Sequence, residues 1–144
     1  MTKKVVIIGG GVIGMSTAFH LAEKGMTDIS IIEKDYIGSG SSSQAAGIVT
    51  CHQWNSTSIT ARIKTLDIFE KFSKILDGYT FQQVGCLNLS NEEDYNLGSE
   101  LRDLQDSLGA FSETYIGNQL TEKFPDVILK DNEYGVLDPR GGFS

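Results

Sequence analysis

The residues best suited to chemistry are Gly9, Gly11 and Gly14, spaced as G-x-G-x-x-G, with Glu33 downstream of them. Gly9 permits a tight strand-to-helix turn, Gly11 lets the backbone approach a pyrophosphate, and Gly14 lets the following helix lie close to the strand. That helix opens at Val12 and Ile13, and its amino end offers unpaired N–H groups and a positive dipole to phosphate. A carboxylate at Glu33 accepts hydrogen bonds from ribose hydroxyls and repels a 2′-phosphate. NADP is therefore disfavoured, while NAD and FAD both remain. Glycine-rich turns are common, so the motif gains its meaning from the elements around it.

Those elements have the order such a site requires. Val5 to Ile8 is a short β-branched run, expected as a parallel strand buried on both faces. After the glycines the period changes, and Val12, Met15, Phe19 and Ala22 mark one helix face, stopped at Gly25. Ile29 to Ile32 is a second buried strand with Glu33 at its carboxyl end. A doubly-wound domain would continue with another helix and parallel strand, but here a small-residue loop intervenes from Gly38 to Gly47. Ile59, Ile63, Leu66, Phe69, Phe72 and Leu76 then predict a long amphipathic helix closed by Asp77-Gly78. Phe81 to Leu89 reads as a strand. Ser90-Asn91-Glu92-Glu93 reads as a capping box opening a helix with Leu97, Leu101, Leu104 and Leu108 inside. A helical turn is expected over Leu120 to Phe124, and a strand over Tyr134 to Leu137 broken by Asp138-Pro139.

The bulk composition narrows the partners. With 144 residues, 40% hydrophobic and 22% charged, the chain has the composition of a globular protein. A net charge of −7 argues against nucleic acid or an anionic membrane surface, both of which need clustered Lys and Arg. Cys51 and Cys86 stand at no metal-ligand spacing, so no metal site is expected, and free thiols fit a reducing, cytoplasmic setting. Lys3-Lys4 before an apolar run superficially resembles a signal peptide, but Gly9 to Gly11 interrupt the run and no small-residue cleavage site follows. No run approaches the length of a membrane span.

From Val5 to Val49 the sequence resembles the D-amino-acid-oxidase-like family of FAD-dependent oxidoreductases, which includes sarcosine oxidases, glycine oxidase, dimethylglycine dehydrogenase and dye-linked proline dehydrogenases. The likeness rests on Gly9 to Gly14, the pair Glu33-Lys34, and the loop Gly38-Ser39-Gly40-Ser41-Ser42-Ser43 followed by Ala45-Ala46-Gly47. It continues more weakly through the Ile59 to Leu76 helix, Val84-Gly85-Cys86-Leu87 and Gly135-Val136-Leu137-Asp138-Pro139. The resemblance implies FAD as cofactor. It also implies that Ser41, Ser42, Ala46, Gly47 and Ile48 line it, beside Gly9, Gly11, Val12, Ile13, Gly14, Glu33 and Lys34. In the dimethylglycine-dehydrogenase branch a histidine immediately before Ala-Ala-Gly attaches the flavin covalently. Here that position is Gln44, so noncovalent FAD is expected.

The fold class that follows is α/β. Residues 1–50 form a Rossmann-like FAD-binding βαβ unit with its Ser/Gly loop, and 51–144 begin an α+β substrate-side region. The chain reads as an incomplete fragment of a larger two-domain flavoprotein, to be completed by a C-terminal half or a partner chain. The implied activity is oxidation of the C–N bond of an amine or amino acid such as sarcosine, glycine or proline. The competing readings are an NAD-linked dehydrogenase and a non-catalytic nucleotide-binding subunit. No acid, base or substrate anchor is assigned. Arg62 and Arg140 have the chemistry to hold a carboxylate, but a solvated surface position is expected for each, as for His20. His52 lies a few residues beyond the loop and is expected to be an ordinary polar residue, the alternative being an approach to the flavin, and Cys51 receives no role.

Overall fold

The computed structural model describes residues 4–130 and 133–144, which fall into two compact units, Met1–Ala46 and Gly47–Ser144. In the first unit, β1 (Val5–Ile8) leads into α1 (Val12–Glu23) and then β2 (Ile29–Ile32), which pairs parallel to β1 with Val5 opposite Ile29 and Ile8 opposite Ile32. This is the expected βαβ arrangement.

Two details differ from expectation. The strands are covered on one face only: Val5, Ile7, Ile29 and Ile31 are half-buried, while Val6, Ile8 and Ile32 point away from the helix side, Ile8 being 87% exposed. The helix is also turned from the predicted face. Gly14, Ala18, His20 and Leu21 are its half-buried positions, whereas Val12, Met15, Phe19 and Ala22 are exposed. The reason is steric. Gly14 carries no side chain and sits where a Cβ would lie 3.3 Å from Ile7 Cγ2, so the glycine face makes the close approach and the bulkier stripe rotates outward.

In the second unit, β3 (Ile48–Val49) is followed by α2 (Ser56–Ile75), capped by Asn55, whose side chain accepts from the Ser58 N–H at 2.9 Å. Ile59 and Leu66 on α2 are fully buried and form the centre of a core with Val49, Cys51, Phe81 and Ala110. Leu76, expected inside, lies just past the helix and is exposed. The predicted 81–89 strand is displaced to β4 (Cys86–Ser90), because Gly85 takes a positive φ of 85° and breaks the extended run.

The predicted helix after Ser90 is two helices, α3 (Glu92–Leu97) and α4 (Ser99–Ser107), meeting at Gly98. Its cap is Asn91 rather than Ser90, since the Asn91 side chain accepts from Asp94 N–H at 2.8 Å. The break leaves Leu97 exposed. Then come β5 (Glu113–Ile116), which the sequence pattern does not reveal, α5 (Asn118–Lys123), β6 (Tyr134–Asp138) and β7 (Gly142–Phe143). β6 lies between β4 and β5 in an antiparallel sheet, and β7 pairs antiparallel with β3. Buried Leu120 packs over Gly135, where a Cβ would lie 2.4 Å from its Cδ1.

Candidate functional site

In the first unit the glycine turn is built almost entirely by backbone. Gly9 takes a φ of 102° and donates its N–H to Ile32 O at 2.8 Å, which locks the turn to the end of β2. A Cβ on Gly14 would stand 1.9 Å from Gly9 O, so only glycine lets α1 start this close beneath the turn. Gly11 is the extended residue before the helix, and a Cβ there would meet Ser42 Oγ at 3.1 Å. The amino end of α1 is reached by the Ser/Gly loop: Val12 donates its N–H to Ser42 Oγ at 3.0 Å. Val12 and Ile13 are both exposed there.

Glu33 is held against the same turn. Its Oε2 accepts from Gly10 N–H at 2.7 Å, and its Oε1 accepts from Lys34 N–H at 2.7 Å and Asp35 N–H at 3.1 Å. The amide bond from Gly10, helped by those from Asp35 and Lys34 and by the Lys34 charge, keeps this carboxyl below its ordinary range against a weaker burial effect. Glu33 is therefore ionised, oriented, and left with further acceptor capacity. The structure thus brings together Gly9, Gly11, Val12, Ile13, Gly14, Glu33, the Lys34 backbone and Ser42. Ser41 shares the short 3-10 turn of Gly40–Ser42 with Ser42 but is exposed, as is Ala46. Gly47 and Ile48 belong to the second unit. There Gly47 takes a φ of 73° and accepts from Ser144 N–H at 3.2 Å, and Ile48 opens β3. Gln44 is exposed in the loop.

The second unit holds a polar cluster that the sequence did not announce. Asp138 is completely buried. Its Oδ2 accepts from Thr50 Oγ1 at 2.6 Å, Cys51 N–H at 2.7 Å and Cys51 Sγ at 3.2 Å, while Oδ1 accepts from Arg140 N–H at 3.0 Å. Burial pushes this carboxyl up, but the bonds from Thr50 and Cys51 outweigh it and leave it below its ordinary value of 3.8. The Cys51 thiol is pushed up to about 12, first by burial and then by the neighbouring Asp138 charge, so without a cation beside it the thiol keeps its proton. His52 Nε2 is enclosed with no hydrogen-bond partner among the described residues.

Arg140 is not the solvated residue expected. Its guanidinium bonds Asp67 Oδ1 at 2.7 Å and Glu70 Oε1 at 2.8 Å, so its charge is already committed within the protein. Arg62 is exposed on α2, and His20 pairs with Glu23 at 3.0 Å on α1. Asp138 escaped the sequence reading because its partners Thr50 and Cys51 lie more than eighty residues earlier.

Known proteins resemble this chain over most of its length. Residues 4–144 match the family described as FAD dependent oxidoreductase, DAO. The 4-methylaminobutanoate oxidase (formaldehyde-forming) of Paenarthrobacter nicotinovorans is 35% identical over 89 residues, covering 60% of this chain and 11% of that protein. The L-proline dehydrogenase structure from P. horikoshii superposes with a TM-score of 0.90 at 23% identity, covering 99% of this chain and 38% of that one. The glycine oxidase structure from Bacillus cereus superposes with a TM-score of 0.76 at 31% identity, covering 97% and 39% respectively. The chain thus spans well under half the length of the proteins it matches.

Proposed function

Because this chain belongs to the DAO family of FAD-dependent oxidoreductases, we propose that it is the cofactor-binding front portion of an enzyme oxidising the C–N bond of an amine or amino acid, such as sarcosine, glycine or proline. The observation that carries this reading is Glu33, fixed by three backbone N–H groups beside a glycine turn too tight for a Cβ at Gly10 or Gly14. Family membership selects FAD over NAD as the dinucleotide, a choice the carboxylate alone leaves open.

The residues present fit the group. The absence of a side chain on Gly11 and the amino end of α1, where the Ser42 hydroxyl already sits, suit a pyrophosphate, and the spare lone pairs of Glu33 suit the adenosine ribose hydroxyls. Ser42 already satisfies the Val12 N–H, and its hydroxyl can donate to a phosphate oxygen while keeping that bond. Lys34, Ser41, Ala46, Gly47 and Ile48 are proposed to complete the lining. When bound, flavin supplies the acceptor for a hydride from the substrate carbon next to nitrogen, giving an imine that water hydrolyses. The contribution of these residues is to bind and orient. With Gln44 in place of a histidine, they hold the cofactor without a covalent link.

The proposed division of labour assigns residues 1–50 to the cofactor and 51–144 to the substrate side. A small-molecule amine is the proposed substrate. A further C-terminal half or a partner chain is proposed to complete the site, in keeping with the bare apolar face of the β1–β2 pair. Among the described residues no helix is long and apolar enough to cross a membrane. A cytoplasmic location is proposed from the two free cysteines.

The test is the visible spectrum of the purified protein supplied with FAD, before and after acid precipitation. Flavin bands that pass into the supernatant are expected, and a preparation that stays colourless at saturating FAD counts against the reading. Replacing Glu33 by Ala is expected to weaken FAD retention at least about tenfold, since bonds to a charged acceptor are among the stronger ones. An unchanged dissociation constant for FAD would remove Glu33 from the ribose site.

A further inference from the structure

We propose that Cys51, His52 and Asp138 form a binding site for a zinc ion in the second unit. One ligand atom from each residue lies within 4.8 Å of the other two. Thiolate, imidazole and carboxylate together make the mixed S, N, O donor set that Zn²⁺ accepts, whereas Ca²⁺ and Mg²⁺ require shells of oxygen.

Four observations converge on this cluster. The first is spacing. Cys51 Sγ and Asp138 Oδ2 stand 3.2 Å apart, while a tetrahedral zinc with ordinary Zn–S and Zn–O bonds separates its sulfur and oxygen by about 3.5 Å. Little movement is needed to open that edge.

The second is charge. A thiolate and a carboxylate buried side by side would carry two uncompensated negative charges, and in the metal-free protein the thiol proton bridges them instead. A divalent cation replaces that bridge and leaves the site neutral. Cys51–SH and aqueous Zn²⁺ give Cys51–S–Zn and one proton released to solvent, with no change of oxidation state. Arg140 acts on the thiol from nearby, but its guanidinium is tied to Asp67 and Glu70 and does not occupy the cluster.

The third is orientation. Thr50 Oγ1 and Cys51 N–H hold Oδ2 while Arg140 N–H holds Oδ1, so the carboxylate is already fixed by outer partners of the kind that orient metal ligands. The fourth is His52: one ring nitrogen is within reach of the cluster, and its enclosed Nε2 has no hydrogen-bond partner among the described residues. The fourth coordination position is left to water. Sequence spacing gave no sign of the site because Asp138 comes from β6 while Cys51 and His52 follow β3.

The test uses the full chain, expressed in medium supplemented with zinc or with cobalt as its spectroscopic substitute. About one metal per chain is expected, with cobalt giving a thiolate-to-metal charge-transfer band. Cys51→Ser should abolish the band and Cys86→Ser should keep it. His52→Ala should lose metal to a chelator at least about tenfold more readily, with the metal-free protein still folded, because the imidazole Nε2 has no hydrogen bond to lose. A preparation without stoichiometric metal, a band surviving in Cys51→Ser, or full metal retention by His52→Ala would each overturn the proposal.

Discussion

Replacing Gly14 by alanine is expected to abolish FAD binding and to unravel the amino half of α1. The added Cβ would stand 1.9 Å from the carbonyl oxygen of Gly9 and 3.1 Å from its carbonyl carbon. Both are backbone atoms, and Gly9 is pinned by its own bond to Ile32 O, so neither side can yield without breaking the turn. Overpacking of this kind costs about 1–3 kcal/mol where side chains can shift, and more where only backbone can move. The comparison with Gly11→Ala makes the result interpretable. There the nearest atom is the Ser42 hydroxyl at 3.1 Å, which can rotate, so α1 should persist while the pyrophosphate is held off. Amide hydrogen exchange across Val12–Glu23, read beside an FAD titration, separates the two cases. Native-like protection of α1 in Gly14→Ala would show that the turn is not as tight as the structure has it.

The second large effect belongs to Asp138. Truncation to alanine leaves the Thr50 hydroxyl and the N–H groups of Cys51 and Arg140 without their acceptor in a site closed to water. Unsatisfied buried donors cost about 1–3 kcal/mol each, and breaking such a charged network costs about 3–5 kcal/mol in all. The same carboxylate confers a pH dependence. Burial pushes its pKa up, bonds from Thr50 and Cys51 push it further down, and the folded value ends below 3.8. A depressed folded value means the stabilisation is present above the unfolded pKa and is lost as pH falls through the folded one. Denaturant midpoints for the second unit, followed by exchange at Ile59 and Leu66, should hold steady above about pH 5 and fall below about pH 4. In Asp138→Ala the midpoint should be lower throughout and flatter in that acid window. A variant as stable as the parent protein would mean that Asp138 is dispensable to the core.

The parts of this protein legible in its sequence are those whose cause is local. The strand, glycine turn, helix, second strand and Glu33 follow one another within a single supersecondary unit, and each residue type announces its own task. The orientation of α1 is not legible because Val12, Met15 and Phe19 are bulkier and more apolar than Gly14 and Ala18, yet the small-residue face is the one that can approach β1. Long α2 was readable because Ile59, Ile63 and Leu66 recur at helical spacing, and the structure buries that face. The break at Gly98 was not, since Leu97 and Leu101 continue the same period through it. Strand β5 offers four residues, Glu-Thr-Tyr-Ile, with no apolar alternation, and exists because β6 supplies its partner. The Asp138 cluster was illegible for the same reason: its meaning lies in the tertiary contact with Thr50 and Cys51, not in the neighbours of Asp138 along the chain.

The bare face of β1 and β2, with Val6, Ile8 and Ile32 turned outward, also governs how this molecule behaves as a colloid. What keeps two such faces apart in solution is the long-range repulsion between chains that each carry a net charge of −7. Acid withdraws that repulsion as carboxylates take up protons, and concentrated salt screens it, but neither removes the apolar surface. Where nothing else covers this sheet face, dilute, low-salt, near-neutral solution is the regime expected to keep chains dispersed, and acidification is expected to bring them together through it.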